Sequence, residues 1–142
     1  MARMSIMFDG FKDLAYKIDE AGGDLHAAVD EALTETQFYI QHQVESASMA
    51  YAHNGLKGYA TGKMFNSIIN DGVIDWSGTV ATVRVGFDLH QAGGFHSIFV
   101  MYGTPKMAKD QKVYNAIRGT KTQKDIAKIQ QSIMEKYVKI GD

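Results

Sequence analysis

Residues 25–51 carry one long helical stripe, and that stripe limits what the chain can become. Leu25, Val29, Ala32 and Leu33, Thr36, Ile40, Val44, Ala47 and Tyr51 recur at steps of three and four, the period of one helix face. Asp24 stands just before them as an N-cap, a short carboxylate able to accept from the free amides of a first turn. Asn54-Gly55 bounds the far end. Phe38 and Tyr39 widen the apolar face, so the helix needs more than one neighbour to cover it.

Helical spacing also appears on both flanks. Phe11, Leu14, Ala15 and Ile18 predict a helix from about Asp9 to Glu20, stopped at Gly22-Gly23, since glycine accepts a left-handed backbone at a helix end without steric cost. Near the other terminus, Thr122-x-x-Asp125 matches a capping box, and Ile126, Ile129, Ile133, Tyr137 and Ile140 form a final stripe. Val113, Ala116 and Ile117 predict a shorter helix ended by Gly119. A short helix from Lys63 to about Ile69, with Thr61 as its cap, turns inward Met64, Ile68 and Ile69 and closes at Asn70-Asp71-Gly72.

Between these helices the period falls to two. Val73–Trp76, a Ser77-Gly78 turn and Thr79–Phe87 predict a hairpin, with Ala81, Val83, Val85 and Phe87 on a core face and Val80, Thr82 and Arg84 on a wetter one. His96–Tyr102 is too short an apolar run for periodicity to separate strand from helix. The expected architecture is α+β: a small antiparallel sheet, the hairpin Val73–Phe87 with room for a further strand, packed against a long N-terminal helix and a C-terminal helix. One structural domain spans 1–142, with flexible loops at about 52–62 and 88–95, where glycines interrupt any period.

Composition removes several classes of function. With no cysteine among 142 residues, thiolate metal sites and thiol nucleophiles are excluded. No run approaches the roughly 20 apolar residues of a membrane span. The start, Met1–Asp9, lacks the shape of a secretory signal. These features predict a soluble protein held in a reducing cytoplasm. The net charge of −1 conceals a division: residues 1–50 hold three basic and nine acidic side chains, and residues 105–139 hold nine basic and three acidic ones. Such a division suits nucleic acid at the basic end, a charged neighbour of complementary sign, or solvated helix faces. The eight methionines suit either surfaces that repack or gaps in a core.

Motifs for chemistry are absent or incomplete. Gly58–Lys63 resembles a phosphate loop, but a Walker loop needs four residues between its glycines and a hydroxyl after the lysine, whereas here three intervene and Met64 follows. His26, His42, His53, His90 and His96 show no ligand spacing; His90 and His96 flank a glycine loop beside Asp88, the one arrangement able to share a metal. Glu31/Glu35 and Asp9/Asp13 are spaced for solvated helix faces rather than for a carboxylate pair across a cleft. No Gly-x-Ser-x-Gly elbow occurs. The expectation is a chain that is not an enzyme and holds no cofactor and no metal.

Three short signatures point elsewhere: Thr61-Gly62-Lys63-Met64 with Ser67-Ile68, then Val85-Gly86-Phe87, then Tyr102-Gly103-Thr104. Together they resemble the tail-completion, or tail-component, family of long-tailed (siphovirus-type) bacteriophages. The chain departs from that pattern at Met101, where a glutamate is usual, and at Asp110–Tyr114, where a proline-phenylalanine segment is expected. The resemblance implies a structural virion protein of the neck or head-proximal tail end, made in the bacterial host cytoplasm. It would act in tail completion and head–tail joining as a ring-type homo-oligomer, touching tail terminator, neck or connector and tape-measure proteins. Packaged DNA would lie nearby in the channel, and no membrane is involved. It favours a helical turn before Gly103-Thr104. Expected partner-interface residues are Tyr59, Thr61, Gly62, His90, Phe95, Tyr102, Gly103, Thr104 and Lys106. The alternatives are a nucleic-acid-binding module using Lys106, Lys109, Lys112, Arg118, Lys121, Lys124 and Lys128, or another neck component such as a tail terminator or connector.

Overall fold

The alternating run at residues 80–85 becomes the middle strand of a three-stranded antiparallel sheet in the computed structural model, which describes residues 2–52 and 62–141. Strand β1 (Ala2–Met4) and strand β2 (Ile74–Ser77) flank β3 (Val80–Val85) in the order β1-β3-β2. Ala2 pairs with Val85 and Met4 with Val83 on one side, while Ile74 pairs with Val83 and Ser77 with Val80 on the other. Because Ser77 pairs with Val80, the hairpin turn is Gly78-Thr79, one residue beyond the expected Ser77-Gly78, with Gly78 at φ +63°. Ala81, Val83, Val85 and Phe87 are buried, as the alternation predicts. The further strand is supplied by Ala2–Met4, which the sequence presents only as a brief apolar patch.

On the outer sheet face Arg3 lies directly opposite Arg84, and each has its own carboxylate: Asp75 at 2.9 Å from Arg3 and Asp71 at 2.8 Å from Arg84. Burial pushes the Asp71 carboxyl upward. Hydrogen bonds from the Val73 amide, the Gln37 side chain and Arg84 outweigh that effect and hold it below the usual carboxylate range.

Two long helices form the body under the sheet. Helix α1 (Phe11–Glu20) ends at the Gly22-Gly23 corner, where the Gly23 amide donates to the Ile18 carbonyl at 2.8 Å. Helix α2 (Leu25–Ala47) starts at Asp24, whose Oδ1 accepts from the Ala27 amide at 3.0 Å. Its stripe is buried at Val29, Ala32, Leu33, Thr36, Ile40 and Val44. It ends four residues before Tyr51, and a 3₁₀ turn (Met49–Tyr51) carries the chain on. Helix α6 (Thr120–Gly141) lies antiparallel to α2, joined by Lys136 to Glu31 at 2.9 Å, Gln130 to Thr36 at 2.9 Å, and Tyr39 to Asp125 at 2.6 Å. One ion pair, Lys136 with Glu31, joins the acidic first segment to the basic last one. Of the described methionines, Met4, Met64, Met101 and Met134 are buried, which is the gap-filling role.

Three short helices close the remaining end: α3 (Lys63–Asn66), α4 (His96–Tyr102) and α5 (Gln111–Arg118). Helix α3 stops at Asn66 rather than reaching Ile69, because Ile68 leaves to bridge Phe87 and the Ile69 amide donates to the Gly86 carbonyl at 2.8 Å. Met64, Ile68 and Ile69 are buried as expected. Its N-cap position is Gly62, at φ +82° and without a side-chain cap; Thr61 lies outside the described residues. Residues 88–95 are irregular, yet they form consecutive tight turns rather than an open loop. A Cβ on Gly93 would stand 2.5 Å from the Lys63 Cβ, and one on Gly94 would overlap the Asp88 carbonyl oxygen, so this path requires glycine at both positions. Helix α6 begins two residues before the expected capping box. Thr122 sits inside its first turn, with its hydroxyl donating to the Asn115 carbonyl at 2.8 Å. No described helix is long and apolar enough to cross a membrane.

Candidate functional site: an aromatic and basic surface

Helix α4 has two unlike faces. Ser97, Val100 and Met101 are buried against the body, which turns Phe95, just before its first residue, together with Phe99 and Tyr102 outward at i, i+4 and i+7. These rings keep 59%, 39% and 56% of their surface exposed. They form a ladder: Phe95 meets Phe99 edge-on at 5.7 Å, and Tyr102 meets Tyr114 of α5 edge-on at 5.8 Å. Lys109 Nζ sits 4.1 Å above the Tyr114 ring, a cation–π contact that extends the ladder into basic territory.

The turn after α4 leads to Lys109 beside the Tyr114 ring. Gly103 at φ +78° ends the helix, its amide donating to the Phe99 carbonyl at 2.8 Å. A Cβ there would stand 2.8 Å from the Lys109 amide nitrogen. Thr104 and Met107 exchange backbone hydrogen bonds across Pro105-Lys106, and the Thr104 hydroxyl accepts from the Lys106 amide at 3.2 Å. The Asp110 amide then donates to the Val100 carbonyl at 2.7 Å, and its carboxylate caps α5. Among the described residues, no carboxylate lies within ion-pair distance of Lys106, Lys109, Lys112 or Arg118, all of them exposed. Lys121 does reach Asp125, at 3.8 Å.

The expected interface residues divide. Phe95, Tyr102, Gly103, Thr104 and Lys106 come together on this one surface. Gly62 is buried and serves the start of α3, so it offers no surface to a partner. His90 is exposed in the preceding turns, its amide donating to Asp88 Oδ1 at 3.0 Å. Tyr59 and Thr61 lie outside the described residues. Phe99 and Tyr114 were missed, and Lys109 was named only for the nucleic-acid alternative. The spacing of Phe95, Phe99 and Tyr102 was a readable signal for the first; Tyr114 and the seat of Lys109 over it become visible only once Gly103 brings α5 beside α4.

The three signature segments also meet in space. Ile68 bridges Phe87, the Asp88 amide donates to the Ser67 carbonyl at 2.8 Å, and Gly86, Phe87, Met101 and Tyr102 line one hollow of about 200 Å³. Gly86, at φ +91°, leaves room for Ile117, whose Cδ1 would stand 3.0 Å from a Cβ there.

An apolar cavity of about 480 Å³ lies among Ile6, Phe11, Leu25, Val29 and Trp76. At its edge His26 stacks on Trp76 at 4.0 Å, while Asp30 accepts from the Trp76 indole at 2.8 Å and stands 3.4 Å from the His26 imidazole. The nearby Ser5 hydroxyl is committed to the Ala81 carbonyl at 2.7 Å. This arrangement latches α2 to β2. His90 and His96 are not brought into a ligand set with Asp88: among the described residues, no three His, Asp or Glu side chains gather as metal ligands would. No family model, no curated protein and no solved structure matches the chain.

Proposed function

We propose that this chain is a structural assembly protein of the neck or head-proximal tail end of a long-tailed phage particle, docking through the α4–α5 surface rather than turning over a substrate. The observation that carries the reading is the exposed ladder Phe95–Phe99–Tyr102, continued through Tyr114 to Lys109, which has no ion-pair partner among the described residues. Apolar rings surrounded by charge are the anatomy of a protein interface, and tyrosine and phenylalanine are favoured at its centre. The resemblance of the signatures to the tail-completion family supports the same reading, and their convergence in space makes them one structural unit rather than scattered matches. Tail terminator, connector and tape-measure proteins are the neighbours this reading supplies.

Particles assembled without the chain test the proposal. Filled heads and separate tails that fail to join are expected; normal joining and normal infectious titre would overturn it. The same lysine beside aromatic rings also favours a second reading, single-stranded nucleic acid stacked on the ladder. Gel shifts at two salt concentrations separate the two, because phosphate contacts weaken steeply with salt. Salt-sensitive binding by a monomer would favour nucleic acid.

A further inference from the structure

We infer that the α4–α5 surface of one copy receives helix α1 of a second copy, in a head-to-tail contact; this rests on the assembly reading above. The first argument is placement. Helix α6 separates the two surfaces: the α1–α2 corner lies at its C-terminal end, where a Cβ on Gly23 would stand 3.4 Å from the Tyr137 carbonyl oxygen. Helix α5 joins its N-terminal end, where Thr122 bonds Asn115. From Thr122 to Tyr137 is about 22 Å of helix at 1.5 Å per residue. A single copy cannot bring the two surfaces together, but a translated or rotated copy can. Contacts between unlike surfaces either close into a ring or continue as a filament.

The second argument is complementarity. Phe11, Leu14 and Ile18 turn α1 onto the body, leaving Asp13, Tyr16 and Glu20 along its outer line at i, i+3 and i+7. Tyr16 keeps 65% of its surface exposed, the largest fraction among the exposed large hydrophobic residues. Asp9 leads into that line and Asp19 stands beside it, with Lys12 and Lys17 on its flanks. Among the described residues, none of these four carboxylates has an ion pair within the chain. One end thus shows a tyrosine among carboxylates without ion pairs, and the other shows phenylalanines and a tyrosine on a segment whose exposed Lys106, Lys109 and Lys112 have no ion pair among the described residues. Glu31, by contrast, is already taken by Lys136. Opposed potentials with aromatic residues at the centre give a contact both register and sign.

Charge reversal tests the contact directly. Sedimentation of the full-length chain should show species larger than the monomer, growing with concentration and shrinking with added salt. Lys109→Glu/Lys112→Glu and Asp13→Lys/Glu20→Lys, all at exposed positions, should each sediment as monomers with unchanged circular dichroism. An equal mixture of the two should recover the larger species, because each variant then offers the charge that the other lacks. Zero-length carbodiimide coupling of a mixture of isotopically labelled and unlabelled wild-type chains supplies a measurement independent of any substitution. It should join Lys109 or Lys112 of one copy to Asp13 or Glu20 of another. Absence of those intermolecular links, a wild type monomeric at every attainable concentration, or no recovery on mixing would overturn the inference. So would salt-steep oligonucleotide binding by a monomer in which the α1 variant matches wild type. If the links are absent while particles still require the chain for joining, the assembly role stands and only this contact falls.

Discussion

Gln130 is a fully buried polar residue with every hydrogen-bonding atom in use. Its Oε1 accepts from the Met7 amide at 2.8 Å, and its Nε2 donates to the Ser5 carbonyl at 3.1 Å and to the Thr36 hydroxyl at 2.9 Å. Thr36 passes the chain of bonds to the Ala32 carbonyl at 2.8 Å. One side chain thus supplies the backbone partners that the segment after β1 lacks, since that segment is in no sheet. Gln37 does the same for the 71–73 turn, accepting from Gly72 at 2.7 Å and donating to the Arg84 carbonyl at 2.9 Å. Burial without such partners would be costly, which is why removing one member costs more than the bond itself contributes. Gln130→Leu keeps approximate volume but strands the Met7 amide and the Ser5 carbonyl. A loss of about 2–3 kcal/mol is expected, read as a lower urea midpoint with unchanged slope. Gln130→Glu should be no rescue, because a second oxygen cannot donate to Ser5 or Thr36.

At the scale of elements, what could be read from the chain depended on how local the cause was. Helix α2 and the β3 alternation were legible because their stripes repeat over many residues and their partners impose nothing contrary. The long helix was also legible at its start, since Asp24 caps it through a bond three residues away. Strand β1 was not: three residues carry no period, and the strand exists because β3, some eighty positions later, offers a free edge. The Thr122 capping box failed for a similar reason. The Asn115 carbonyl captured the hydroxyl, so α6 could begin earlier, at Thr120. On the candidate surface, Phe95, Tyr102, Gly103, Thr104 and Lys106 were named from sequence, and Lys109 for the nucleic-acid alternative, whereas Tyr114 and its contact with Lys109 depend on the turn at Gly103 and on packing between α4 and α5. The local cap gives the cleanest test. Asp24→Ala should cost about 1 kcal/mol in thermal or chemical denaturation, with Asp24→Ser recovering most of it, because a hydroxyl can accept the same amide.

Over the whole molecule, the acidic and basic segments touch through the pair of helices α2 and α6. The antiparallel pair α2 and α6 is stitched at one point by Glu31 with Lys136 and at another by Tyr39 with Asp125. The hydrogen bond to Glu31 raises the Lys136 pKa. Burial, then the hydrogen bond and negative charge of Asp125, push the Tyr39 phenol from 10.0 up to about 12. Both shifts have the same sign for stability. A group whose pKa is higher in the folded chain contributes fully below its unfolded value and loses that contribution as pH climbs through the folded one. For Tyr39 the window runs from about 10 to about 12. The expectation is that wild-type stability falls across that window, as the phenolate is forced against the Asp125 carboxylate between the two helices. Tyr39→Phe should be less stable at neutral pH, having lost the bond to Asp125, yet should show a shallower fall across the same window. Urea midpoints measured for both proteins at neutral pH and at steps through that range check this. Parallel curves would mean that the phenol does not couple α2 to α6. Crossing or converging curves would place the coupling at this contact, on the spine that holds the acidic α1 end and the basic α4–α5 end apart.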